Sequence, residues 1–164
     1  MKRLLVVVLA LMSVLVLCSC VSDDGASSDT SSEDVIIENV EPQYFDTLAE
    51  LNTSVGFTVP DPKDLKNLGT PAYRLLNNLA SVIYENDEAV AATFSITKDA
   101  EADVTNGYIG ETTTKTTGAI IAELHGEEGG YSLAVWQKDG YYCSILLEEP
   151  VSVSAFDRYI KSVY

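Results

Sequence analysis

Cysteine is scarce in this 164-residue chain: there are three, and Cys18 and Cys20 both lie within the first twenty positions. No disulfide framework can be built from that number, and Cys143 is the one thiol left for the remainder. Cations are nearly as thin. Ten Lys and Arg stand against 25 Asp and Glu, a formal net charge of −15. So few cations cannot replace the counterions of a phosphate backbone, which excludes nucleic acid as a partner. The same shortage excludes a basic patch as the means of holding an anionic membrane. Histidine occurs once, at His125, and tryptophan once, at Trp136. There is no G-x-S-x-G elbow, no other nucleophile signature, no metal-ligand spacing and no cofactor motif.

What is present begins with grease. Hydrophobic residues make up 46% of the chain and mean hydropathy is +0.09, unusual values beside so large a charge. The first twenty residues explain them. Lys2 and Arg3 form a positive n-region, and residues 4–17 (LLVVVLALMSVLVL) are a fourteen-residue apolar run with one Ser. A membrane span needs about 20 residues, so this length suits a signal h-region. Leu17-Cys18-Ser19-Cys20 follows. It resembles the lipobox of bacterial lipoproteins: an aliphatic residue, a small one before the cut, then an obligatory Cys. The resemblance implies a signal peptide over residues 1–19 and diacylglyceryl attachment at the Cys20 thiol. Acyl chains stabilise membrane residence by ~0.8 kcal/mol per buried CH₂, so two or three anchor stably where one does not. The expectation is a chain anchored by lipid to the cell membrane, on its extracytoplasmic face. Val21 follows Cys20, so the Asp-type retention signal of some Gram-negative lipoproteins is absent.

Residues 20–42 read as the lipidated Cys and a flexible acidic tether. Residues 21–42 carry seven acids and no base, and Ser, Asp and Thr dominate the first part, a composition that buries too little apolar surface to fold alone. Such a chain spans about 25 Å on average, well beyond the ~8 Å Debye length, so it can hold an acidic domain clear of anionic headgroups. Val35-Ile36-Ile37 is the apolar exception and reads as a segment able to dock as an edge strand.

Residues 43–164 form the single domain, with 18 acids and 8 bases. Residues 44–51 (YFDTLAEL) set Phe45, Leu48 and Leu51 on one helical stripe, ended by residues 52–56. Residues 58–62 (TVPDP) are extended, because a residue before Pro avoids the α region, and residues 63–71 are loop. Period-two patterning then predicts strands at 72–76, 79–85 and 89–97, the last two joined around Asn86-Asp87. Residues 98–110 are a long polar connection. Residues 111–117 (ETTTKTT) are a Thr-rich edge strand, with Lys115 as a charge that discourages edge pairing. Strands at 119–125 and 131–138 flank a loop at 126–130, and Asp139-Gly140 is the strongest hairpin signal, leading into 141–147. A final helix is capped by Ser154 with Asp157 three residues on, its stripe made by Phe156, Tyr159, Ile160 and Val163. The fold class is α+β: a mainly antiparallel meander of about six strands with an N-terminal and a C-terminal helix packed on it.

Four motifs carry a family likeness: Gly56-Phe57-Thr58-Val59-Pro60-Asp61-Pro62; Val82-Ile83-Tyr84-Glu85-Asn86; Asp103-Val104-Thr105-Asn106-Gly107-Tyr108; and Leu133-Ala134-Val135-Trp136-Gln137-Lys138-Asp139-Gly140-Tyr141-Tyr142-Cys143-Ser144-Ile145. In this order and spacing the chain resembles domain of unknown function 4367, which occurs in bacterial lipoproteins and at the C-termini of membrane-bound anti-sigma factors. The chain departs from its relatives at residues 91–95 (AATFS), where they are more basic. The likeness implies an envelope location and a fold; it brings no catalytic residues.

Each chemical candidate has a bland counterpart. His125 lacks a nucleophile or orienting acid in the sequence and reads as a solvated histidine. Cys143 alternates with Ile145 and Leu147 and reads as a buried structural thiol. Asp99, Glu101, Asp103 and Thr105 alternate like the start of a calcium loop, but Val104 and Gly110 stand where an EF-hand requires Gly and Glu. Trp136 is either an exposed aromatic platform for a ligand or partner or part of a core layer under the N-terminal helix. If the last helix covers the Leu133 face of its strand, Trp136 points to the opposite side. Three functions follow. The first is a non-enzymatic interaction or sensory module that meets another envelope protein. The second is a carrier or chaperone-like fold holding a small hydrophobic ligand or lipid on a concave sheet. The third is a hydrolase, which requires a cleft joining His125 to two carboxylates.

Overall fold

The computed structural model describes residues 40–164 apart from Glu88, Asn106 and Glu128. The segments read as signal peptide and lipidated Cys20, and most of the expected tether including Val35-Ile36-Ile37, lie outside the described residues. The described residues, 40–164, belong to one compact unit.

The domain is α+β, with eight strands rather than six. In chain order they are β1 (Gln43–Phe45), helix α1 (Leu48–Val55), a 3₁₀ turn at Leu65–Asn67, β2 (Thr70–Leu76), β3 (Leu79–Glu85), β4 (Val90–Thr97), β5 (Glu111–Thr117), β6 (Ile120–Glu127), β7 (Gly130–Lys138), β8 (Tyr141–Val151) and helix α2 (Val153–Ser162). They form a single sheet in the order β1-β2-β3-β4-β8-β7-β6-β5, antiparallel at each pairing. The chain is therefore two four-stranded meanders. Residues 98–110 carry it from β4 to the far edge, and the second meander returns so that β8 lies against β4.

Local chemistry explains the boundaries. Asn77 and Asn78 both have positive φ, at 47° and 63°, as do Asp139 and Gly140 at 52° and 81°. These pairs make the tight turns that match strand twist, between β2 and β3 and between β7 and β8. Asn86-Asp87 does not. There the amide of Asn86 donates to the Ala89 carbonyl, and the Asn86 side chain accepts from the Ala89 amide, each at 3.0 Å, in a wider loop. The loop foreseen at 126–130 is mostly strand, since β6 runs to Glu127 and β7 starts at Gly130. Gly126 permits it: a Cβ there would lie 2.3 Å from the Gly130 carbonyl oxygen and 2.6 Å from the Tyr131 Cα.

Both helices start later or earlier than the stripe alone suggests, and capping is the reason. Tyr44 and Phe45 belong to β1. Helix α1 starts after Thr47, whose Oγ1 accepts from the Glu50 amide at 3.2 Å while Glu50 Oε2 accepts from the Thr47 amide at 3.2 Å. This reciprocal box satisfies two amides that the first turn leaves free. At the other end Gly56, at φ 71°, closes the helix by donating to the Asn52 carbonyl. Helix α2 is capped by Ser152, not Ser154; the Ser152 hydroxyl accepts from the Ala155 amide. Asp157 is thereby released from capping. It accepts from Thr117 Oγ1 at 2.8 Å and from Lys161 at 2.6 Å, which ties α2 to β5.

One apolar core joins both helices to one face of the sheet. Leu51 of α1 and Phe156, Tyr159 and Ile160 of α2 cluster with Val82, Phe94, Leu124, Trp136 and Ile145. Helix α2 thus covers the Trp136 face, so the condition under which Trp136 would point away from it, α2 on the Leu133 face, is not met. Each such side chain contributes about 1.5–3 kcal/mol by leaving water.

Candidate functional site

Trp136 is 3% exposed. Its ring stacks on Phe94 with centroids 6.3 Å apart, and its Nε1 donates to the Tyr164 hydroxyl at 3.1 Å. It is a core residue under α2 and the chain beyond it, so an exposed Trp136 platform does not form, and the core layer it joins is not one beneath α1 alone. Cys143 lies beside it, fully buried, with Sγ 3.7 Å from the Tyr164 hydroxyl. Burial pushes the Cys143 thiol up to about 11, against a smaller lowering by the Tyr164 hydrogen bond. A thiol so hard to ionise is a poor nucleophile.

His125 sits on β6 with Nε2 3.2 Å from Glu123 Oε1. Its strand neighbours are Thr112 and Leu133. Among the described residues Glu123 is the carboxylate that pairs with it, and the His125 side chain is only 14% exposed, so it is not the solvated histidine expected. Two acids of the 98–110 connection, Asp99 and Asp103, are turned to its own backbone. Asp103 Oδ1 accepts from the Thr105 amide at 2.8 Å, Asp103 Oδ2 from the Gly107 amide at 3.0 Å, and Asp99 Oδ1 from the Glu101 amide at 3.0 Å. Short side-chain-to-backbone bonds of this kind build turns. Among the described residues no three His, Cys, Asp or Glu gather as a metal site.

The cleft that gathers aromatic rings and cations lies elsewhere, at the sheet end near the β7–β8 turn. A cleft of about 380 Å³ is lined there by Phe57, Lys98, Lys138, Asp139, Tyr141 and Tyr164 among others. Its construction can be followed from the chain. Gly56 ends α1 in the left-handed region and turns the backbone outward. Asn52 Oδ1 then accepts from the Val59 amide at 2.8 Å, so Phe57 is held between two fixed points. The Asp139-Gly140 turn presents Tyr141 opposite it, with ring centroids 5.2 Å apart. Lys98, the first residue after β4, places its Nζ 5.3 Å from both ring centroids. Lys138 Nζ stands 3.4 Å from the Tyr164 ring centroid. A cation over a ring face is attracted by the ring quadrupole, so two ammonium groups are gathered at one place on an acidic domain. Burial of the Tyr164 hydroxyl holds its pKa above the ordinary 10.0, although the residue as a whole is 54% exposed.

Phe57, Lys98, Lys138, Tyr141 and Tyr164 were not singled out by the sequence reading. One signal was available: Phe57 belongs to the first of the four quoted motifs, and Lys138 and Tyr141 belong to the last. The fold brings these two motifs together. No family model, curated protein or solved structure matches the chain.

Proposed function

We propose that the chain is a lipoprotein held by Cys20 at the extracytoplasmic face of the cell membrane, and that its domain is a non-enzymatic interaction or sensory module. The anchoring half rests on one observation: n-region, fourteen-residue apolar run and Leu17-Cys18-Ser19-Cys20 in that order. The module half is supported by the aromatic and lysine cleft at Phe57, Tyr141 and Tyr164. Its flat rings and two ammonium groups, against the one carboxylate of Asp139, suit an anionic group carried on an apolar body, presented by an envelope partner. The buried, neutral Cys143 and the single carboxylate at His125 both favour binding over catalysis.

A carrier for a lipid is the rival. It requires an apolar cavity, either between helices and sheet or on the sheet's other face. The first place is packed by Leu51, Phe94, Phe156 and Ile160, all fully buried. The second carries the hydroxyls of Ser81, Ser95, Ser144, Thr93 and Thr97, which suit a lipid tail poorly. Both observations favour the interaction reading.

Metabolic labelling with radioactive palmitate tests the anchor. The wild-type chain takes label and a Cys20→Ser variant does not; an unlabelled, freely soluble wild type overturns the reading. Cross-linking in intact envelopes tests the cleft. A partner captured by wild type is lost from a Phe57→Ala/Tyr141→Ala variant that keeps its melting temperature, and unchanged capture removes the cleft from the proposal.

A further inference from the structure

An eight-stranded open sheet has two edges, and here they differ. The β1 edge is three residues long. The β5 edge is seven, Glu111–Thr117, and among the described residues it pairs only with β6. Its outer backbone groups form an unpaired ladder, the feature through which one sheet adds a strand from another. Five of its seven residues are Thr, a β-branched residue that favours strands. Lys115 is the charge that ordinarily blunts such an edge. Glu111 changes its meaning.

Glu111, Thr113 and Lys115 stand on one face, since Thr113 and Lys115 pair with the core residues Leu124 and Ala122. The opposite charges are equally far from Thr113, one on each side. We propose that β5 pairs antiparallel with β5 of a second copy about a two-fold axis at Thr113, joining two domains into one continuous sheet. In that register Glu111 faces the partner's Lys115 and Lys115 faces the partner's Glu111. Thr112 faces the partner's Thr114, and Thr113 faces its own counterpart. Opposite-charge and Thr–Thr pairs directly across from each other are both favourable on a sheet. Other registers lose this. Sliding by two residues one way sets Lys115 against Thr113 and Glu111 against Thr117; sliding the other way sets Lys115 against Ile109. A slip of one residue puts facing side chains on opposite faces. The Glu–Lys pair therefore selects one isologous arrangement and makes β5 a poor match for strands lacking the complementary charges. Continuing the same register outward sets Ile109, 94% exposed just before β5, against the partner's Thr117. This gives the most exposed large apolar side chain of the described domain a surface to cover.

The test is sedimentation equilibrium of the full chain in density-matched detergent, at low and high salt. Wild type dimerises with rising concentration, and more weakly at high salt. Glu111→Lys places like charges opposite each other at both ends of the pairing and weakens the dimer about tenfold. Lys115→Glu does the same. The exchange Glu111→Lys/Lys115→Glu restores dimerisation to near the wild-type level, which no general loss of folding can mimic. Thr113→Cys yields a reducible dimer beyond any formed by wild type, because the axis passes through that residue. A chain that stays monomeric at every concentration overturns the proposal. So does a dimer that neither single reversal weakens, or one that the double exchange fails to rescue.

Discussion

The two faces of the sheet are both buried along its centre, yet by different chemistry. On the helix-covered face Val82, Phe94, Trp136 and Ile145 meet Leu51, Phe156 and Ile160 in one apolar cluster. On the other face Ser81, Ser95 and Ser144 stand side by side on β3, β4 and β8, all at 0% exposure. Ser81 and Ser95 share a hydrogen bond of 3.1 Å, whereas Ser144 Oγ has no partner. Rows of larger residues flank them: Ile83, Thr93, Leu146 and Leu133 on one side, Thr97 and Tyr142 on the other. Burial alone does not identify a core. The first face loses contacts when a side chain shrinks, because close-packed large groups leave a cavity behind. At its centre the second face has little to lose, because Ser81, Ser95 and Ser144 are short.

Truncation across the two faces puts that contrast to its largest test. Trp136→Ala removes the stack on Phe94 and leaves the Tyr164 hydroxyl without its donor; it lowers unfolding free energy by about 3–5 kcal/mol, read from urea denaturation. Phe94→Ala falls in the same range. A loss near zero for Trp136→Ala would mean that the ring is not core. Ser144→Ala stays within about 0.5 kcal/mol of wild type or gains slightly, since a buried hydroxyl with no partner is a cost removed.

Backbone approach gives the next effect. Gly126→Ala drives a Cβ into the Gly130 carbonyl and Tyr131 Cα, where nothing flexible can yield. A loss of about 1–3 kcal/mol is expected, with far-UV circular dichroism showing whether the β6–β7 hairpin survives. Alkaline pH strikes the helix-covered face selectively. Burial raises Cys143 from 9.0 to about 11 and raises Tyr84 and Tyr164 above 10.0. The folded state then holds protons that the unfolded state has released, so the slope of stability against pH is negative. Stability is complete below pH 9.0 and falls progressively above it, through about pH 11 for Cys143. Cys143→Ala removes the earliest part of that fall in a pH series of denaturation curves. Caps give the smallest change: Ser152→Ala lowers stability by about 1 kcal/mol, whereas Ser154→Ala changes it little, and equal effects would restore Ser154 as the cap.

Much of the local structure was legible in the residues. Period-two alternation located β3 and β4 nearly to the residue, Asp139-Gly140 announced its turn, and the Phe156, Tyr159, Ile160 and Val163 stripe marked the buried side of α2. Each signal is local, set by φ preference or by which side chains share a face within a few positions. The Asn77-Asn78 turn and the Thr47–Glu50 capping box were equally local, and both were readable by the same rules. The cleft was not, because Phe57, Lys98 and Tyr141 lie on separate elements and meet only when α1's end, β4's end and the β7–β8 turn converge.

By itself the sequence determined an acidic α+β domain, since composition, charge and alternation need no long-range contact. Only the tertiary structure decided that β8 inserts between β4 and β7, and that both helices cover the Trp136 face. Backbone hydrogen bonds are the same for every strand, and alternation distinguishes two faces without saying which one the helices will pack against. Those choices fall to the summed fit of side chains distant in the chain.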